Sequence, residues 1–384
     1  MIGALQGWID DPTVATVLLG AVVGMAATVI GTFLLLRKST MLTDAIGHSV
    51  LFGIVVGFLV VGDLHHPALT VGAALAGLLT VAGTRALEAT GRVRSDAAIG
   101  LVFPLLFALG VLLAGRYAGD AHLDADAVLV GEIGFAWIEV APFLGLELPR
   151  ALRTMIVVLA LDAVLVAALW KELKVGAFDP GFAAAVGLAP GAVATALLAA
   201  TSLTAVAAFD AVGAVLFVAF VVAPPAAGLL LANRVGTMLV IGLFVSVAAA
   251  IGGYAAALAY DLAIAPAMAL VAGALVAGAL LVGPRHGLVA HVVRSKTRGL
   301  DLDARALLVH LATHAEAEPE ARENTRPALR EHLGWRPEKV ERVVRHALDG
   351  GFVERGRAGE GLRPTGRGRA WIEEAGPYGE TRGG

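Results

Sequence analysis

The chain has 384 residues, 58 % of them hydrophobic and 16 % charged, with a mean hydropathy of +0.79. An ordinary soluble domain lies nearer half apolar and a quarter charged, so that class is excluded, and so is disorder. Cysteine is absent, which removes disulfides, thiolate zinc sites and cysteine nucleophiles, and the net charge of −3 hides a division. Residues 1–283 carry 11 basic and 17 acidic side chains, whereas residues 284–384 carry 18 and 15. Two regions in two different solvents are the simplest account.

In chain order, the first eleven residues lack a basic start and a cleavage site, so no signal peptide is expected there. Nine apolar runs follow, each near the roughly 20 residues that cross a bilayer. They lie at about 14–36, 42–62, 67–84, 97–115, 154–170, 191–209, 211–232, 236–259 and 262–283. The fifth is short and the break before the seventh is thin, so eight or ten spans are also compatible. One set of loops holds Arg37, Lys38, Arg85, Arg92, Arg94, Lys171, Lys174 and Arg234, and the other only Arg116, Arg150 and Arg153. The positive-inside rule therefore places the first set, and the charged tail, in the cytoplasm. The expected architecture is an all-α polytopic membrane protein with a small cytoplasmic C-terminal domain. The domains are read as 1–285 in the membrane, 286–300 as a basic linker able to lie on anionic lipid heads, and 301–384 as the tail.

Within the tail, "DARALLVHLATHA" has helical apolar spacing at Ala306, Leu307, Val309 and Leu311. A short helix closes at Gly334, and another opens at Pro337 and ends in two glycines. A strand, a Gly-rich turn, a second strand and a last helix at about 366–375 complete the order of a winged-helix (α+β) domain.

Several residue groups point to chemistry. Asp44 and His48 lie four apart and share one face of a helix, with Gly47 and Gly53 leaving room for a neighbour. A carboxylate and an imidazole so placed can ligate a divalent transition metal; the same pair also reads as a helix cap and a neutral core histidine. Phe178-Asp179-Pro180 starts a short helix that Gly187 ends, which on its own is an ordinary connector. His122, Asp124, Asp126 and Glu132 form either a metal-receiving outer segment or a solvated acidic loop, and His65-His66 reads similarly. Asp162 and Asp210 stand in apolar surroundings, where a carboxylate needs a partner. No P-loop is present: the Lys38-Ser39 and Lys296-Thr297 pairs lack the preceding glycines. ATP hydrolysis is thus expected from another polypeptide.

"GTFLLLRKSTMLTDAIGHSVLFGIVVGFLV" resembles the permease subunits of manganese/zinc/iron ABC importers. Four further segments match that family in order: "RVRSDAAIGLVFPLLFALGVLL", "HLDADAVLVGEI", "KELKVGAFDPGFAAAVGL" and "AVGAVLFVAFVVAPPAAGLLLANR". The resemblance covers about 12–285. It implies that Asp44 and His48 line the metal pathway near mid-membrane; a break near Ser39–Thr43, letting the second span start deep in the protein, would reconcile that depth with Arg37-Lys38 at the interface. It also implies that Phe178, Asp179, Pro180 and Gly187 belong to a coupling helix docking on an ATPase. An extracytoplasmic metal-binding protein and a second permease copy are implied as partners, with manganese, zinc or iron as cargo and no permanent cofactor. The expected location is the plasma membrane of a prokaryote.

The tail resembles the N-terminal winged helix of iron-dependent repressors, through Leu333-Gly334, Val340, Val343, Val344 and "LRPTGR" at 362–367. That resemblance makes Arg342, Arg345, Arg355, Arg357 and Arg363 the DNA-facing candidates. Glu338, Glu341 and Glu354 on the same surface count against DNA, which leaves regulatory or protein-contact use ahead. Two other functions compete with the importer reading: a proton-coupled metal carrier using Asp162 or Asp210, and a membrane-anchored metal-responsive transcriptional regulator.

Overall fold

A computed structural model of the chain describes residues 6–7, 9–63, 66, 68–117, 133–143, 145–283, 287–315, 324–356 and 361–374. The chain divides into two compact units, Met1–Gly287 and Leu288–Gly384.

The first unit is built from α1 (Pro12–Leu36), α2 (Met41–Val61), α3 (Ala68–Ala89), α4 (Ser95–Tyr117) and α5 (Arg150–Ala168). Then come two short helices, α6 (Trp170–Phe178) and α7 (Pro180–Ala185), followed by α8 (Pro190–Val212), α9 (Ala214–Leu231), α10 (Val235–Tyr260) and α11 (Ile264–Val282). Among the described residues, nine of these helices are long and apolar enough to cross a membrane. The chain is an all-α polytopic membrane protein. Between α4 and α5, in a stretch expected only as an acidic loop, β1 (Val140–Phe143) pairs antiparallel with β2 (Leu146–Pro149).

Helix α1 is the most enclosed, because it is apolar around its whole circumference and studded with small residues. A Cβ added at Gly31 would run into the Val221 carbonyl, so α9 crosses α1 there at backbone contact. Phe33 closes the C-terminal end of α1 edge-on against Trp170, with ring centroids 5.6 Å apart. The outward faces of α4, α10 and α11 expose Leu101, Leu105, Leu112, Phe244, Leu258 and Leu270. In water such a belt would be costly; against lipid tails it is the expected surface. Helices α8 and α9 are joined by Gly213 alone, at φ 81° and ψ 167°.

In the second unit, residues 288–300, read as a basic linker, form the first half of a continuous helix, α12 (Leu288–Ala315). Short helices α13 (Arg326–His332) and α14 (Pro337–Asp349) follow. The antiparallel pair β3 (Val353–Arg355) and β4 (Leu362–Pro364) and then α15 (Gly366–Glu374) complete the unit. The buried face of α12 is Ala304, Leu307, Leu308 and Leu311, an i, i+3, i+4, i+7 set that packs with Val340, Val343, Val344 and Ala347 of α14. Ala306 and Val309, expected on the apolar face, point outward, because the 3.6-residue period passes through 304 and 308 instead.

Candidate functional site

Helix α1 ends at Leu36, Lys38 takes a left-handed φ of 57°, and α2 restarts at Met41. Asp44 is therefore in the first turn of α2 and His48 in the next, on one face. Both lie in the N-terminal half of the helix, His48 three residues and Asp44 seven residues before its midpoint at Leu51.

His48 Nε2 lies 3.7 Å from Asp44 Oδ1, with the two side chains 38 % and 57 % exposed. That exceeds a hydrogen bond. Two ligands held about 2.1 Å from a tetrahedral ion stand about 3.4 Å apart, so a small side-chain rotation brings both onto one cation. The imidazole is fixed by two aromatic rings of α4. Phe103 stacks at 5.7 Å and 27°, and Phe107 meets it edge-on at 5.8 Å and 75°. Gly47 leaves the space that Phe209 of α8 fills, 3.2 Å from where a Cβ would stand. Gly53 lets the backbone of α3 approach at Gly72. The Thr43 hydroxyl, next to Asp44, is buried without a hydrogen bond. Among the described residues no three His, Asp or Glu side chains converge into a group that could hold a metal ion.

The second part of the site is the segment between α5 and α8. Asp179 caps α7: its Oδ1 accepts from Phe182 N at 2.8 Å, and Pro180 occupies the first helical turn. Gly187, at φ 86°, ends the segment. Ala183 of α7 is buried, whereas Phe182 on α7, Phe178 at the end of α6 and Val186 just after α7 are 57 %, 66 % and 54 % exposed, which makes the segment an apolar patch. Arg37 reaches the same place: its Nη2 points at the Pro190 carbonyl at 3.5 Å, and its Nη1 lies 3.4 Å from the Cβ position of Gly176. Burial, and then the nearby Arg85 charge, hold its guanidinium below its ordinary pKa.

The remaining expected residues are dispersed. Asp162 is 3 % exposed and accepts from Thr204 Oγ1 of α8 at 2.8 Å, a partner that the sequence did not reveal. Asp210 lies two residues before the end of α8 and is exposed. His122, Asp124, Asp126, Glu132 and His65 lie outside the described residues, as does Arg357. In the second unit Arg342 and Arg355 are exposed and Arg363 is half-buried. Arg345 sits 3.8 Å from Glu341, which also holds Arg326 at 2.8 Å. That face of α14 is mixed in charge rather than basic. Sequence reasoning missed Phe103, Phe107 and Thr204, since only helix pairing brings them to their partners.

A model of the ABC 3 transport family matches residues 10–283. The chain is 44 % identical over 343 residues to the zinc transport system membrane protein TroD of Treponema pallidum, covering 89 % of this chain and 94 % of that protein. That match is longer than the first unit, so it extends into the second. Identity is 41 % over 278 residues to the manganese transport system membrane protein MntD of Bacillus subtilis, covering 72 % of this chain and 94 % of that one. The solved structure of PsaBC from Streptococcus pneumoniae in complex with Fab matches with a TM-score of 0.60 at 24 % identity, covering 74 % of this chain and 98 % of that one.

Proposed function

The chain belongs to the ABC 3 transport family, and from that membership we propose that it is the transmembrane permease subunit of an ATP-driven importer of a divalent transition metal: manganese, zinc or iron. The observation that carries the proposal is the Asp44–His48 pair on one face of α2, held at ligand spacing beside the α4 aromatics. Oxygen and imidazole ligands suit all three metals, and two protein ligands form a site that binds briefly and releases.

In this reading α7 docks on a separate ATPase through Phe178, Phe182 and Val186. ATP binding there moves α7, and with it α6 and α8, so that access to Asp44 and His48 alternates between the two sides. The basic loop set faces the cytoplasm together with α7 and the second unit. An extracytoplasmic binding protein delivers the metal, and a second permease copy completes the translocation path. The mixed charge of α14 favours a regulatory protein contact for the second unit.

Uptake of each metal into proteoliposomes holding this chain, its ATPase and its binding protein tests the proposal. Asp44→Ala and His48→Ala should abolish uptake while the ATPase still co-purifies. Unchanged uptake in both variants refutes the site. Uptake by this chain without any ATPase would favour a secondary carrier instead.

A further inference from the structure

An open groove of about 890 Å³ lies in the first unit beside the coupling segment, bounded by the end of α1, by α6 and by the α9–α10 turn. Its lining combines cations, neutral polar groups and apolar side chains. Lys174 of α6 and Arg234 of the α9–α10 turn are both exposed. Neither has an ion-pair partner among the described residues. Asn233 and Thr237 offer neutral hydrogen-bonding groups. Leu229 of α9 and Val240 of α10, side chains of membrane spans, line it as well and remain 43 % and 50 % exposed. Arg234 and Val240 are six residues apart, about 9 Å along the helix axis at 1.5 Å per residue.

We propose that this groove is a binding site for one anionic phospholipid of the cytoplasmic leaflet. The phosphate would pair with Lys174 and Arg234, the glycerol esters would meet Asn233 and Thr237, and an acyl chain would run along Leu229 and Val240. An anionic headgroup is drawn to unpaired cations at the membrane surface, and apolar span side chains retain the rest of the molecule. An acidic patch on a soluble subunit would satisfy the two cations but would leave those span side chains uncovered. A free phosphate would leave the apolar wall uncovered as well. Phe178, at the start of the coupling segment, also lines the groove, so a lipid seated there touches the element that meets the ATPase. The leaflet assignment rests on the inner-face orientation proposed above; the preference for anionic lipid does not.

The test is native mass spectrometry of the full chain extracted from vesicles of equimolar phosphatidylglycerol and phosphatidylcholine. Wild-type protein should retain phosphatidylglycerol at least about five-fold over phosphatidylcholine, and Lys174→Gln/Arg234→Gln should bring that ratio near one. Val240→Trp, which fills the apolar part of the groove, should lower retention of the lipid without changing the charge. Lys171→Gln/Arg92→Gln, removing inner-face cations outside the groove, should leave the ratio unchanged. Equal retention of the two lipids by wild-type protein overturns the proposal. So does displacement of the bound molecule by millimolar inorganic phosphate, which would make the site one for a free anion. A double variant that loses co-purifying ATPase while keeping its phosphatidylglycerol also overturns it and makes the groove a subunit interface. None of these readouts measures metal uptake, so the lipid site and the importer proposal fail separately.

Discussion

Replacing Gly53 by alanine tests whether the Asp44–His48 helix is held by backbone contact rather than by side-chain packing. A Cβ there would stand 2.8 Å from Ala73 N and closer still to the Gly72 carbonyl. Relief requires α2 and α3 to separate by about 1.5 Å, because ordinary contact distances begin near 3.5 Å. Backbone cannot rotate aside, so the cost belongs at the upper end of overpacking, about 3 kcal/mol. Alanine's helix propensity returns about 1 kcal/mol, leaving a net loss of about 2 kcal/mol. Gly100 of α4 is the control. Nothing lies within 4 Å of its Cβ position, so Gly100→Ala should gain about 1 kcal/mol by propensity alone. Thermal unfolding of both variants in detergent should therefore differ by about 3 kcal/mol, with Gly53→Ala the less stable. Metal uptake by Gly53→Ala should fall as well, since α2 carries the proposed pair Asp44 and His48. If Gly53→Ala melts at or above Gly100→Ala, the helix crossing is wrong.

Three further outcomes follow from other contacts. Thr204→Val removes the hydroxyl that donates to buried Asp162 and should cost about 1–3 kcal/mol, with Thr204→Ser restoring it; equal melting of all three forms would refute the pairing. Asp179→Ala removes the α7 cap, worth about 1 kcal/mol, and should speed amide exchange at Phe182 and weaken coupling of ATP hydrolysis to uptake. Exchange at the wild-type rate would show that the cap is not formed. In the second unit, Gly368→Ala drives a Cβ into the Phe352 carbonyl and should expose residues 288–384 to proteolysis while the first unit stays intact.

The spans were legible because hydropathy needs no knowledge of what touches what. The ends of α7 were legible for a similar reason: Asp179, Pro180 and Gly187 act on their own backbone within a few residues. Long-range pairings were not legible. Phe103 and Phe107 look like any lipid-facing aromatics until α4 is laid against α2, and Thr204 becomes Asp162's partner only where α8 meets α5. The β1–β2 hairpin tolerates Pro142 and Pro149 because both strands of a two-stranded pair are edges. The exposed face of α12 was misjudged by two residues, a phase error that short apolar windows invite.

The single-residue joint at Gly213 has a mechanical consequence. Its φ of 81° with ψ of 167° lies in a region open essentially to glycine alone. At one end α8 begins at Pro190, beside α7; about 33 Å away, at 1.5 Å per residue, it ends at this joint. A longer connection would take up a displacement as slack. One residue has none to give, so a push on α8 at its N-terminal end must either turn the joint or drag α9. Two spans linked in this way work as a crank, and the swivel is one residue wide.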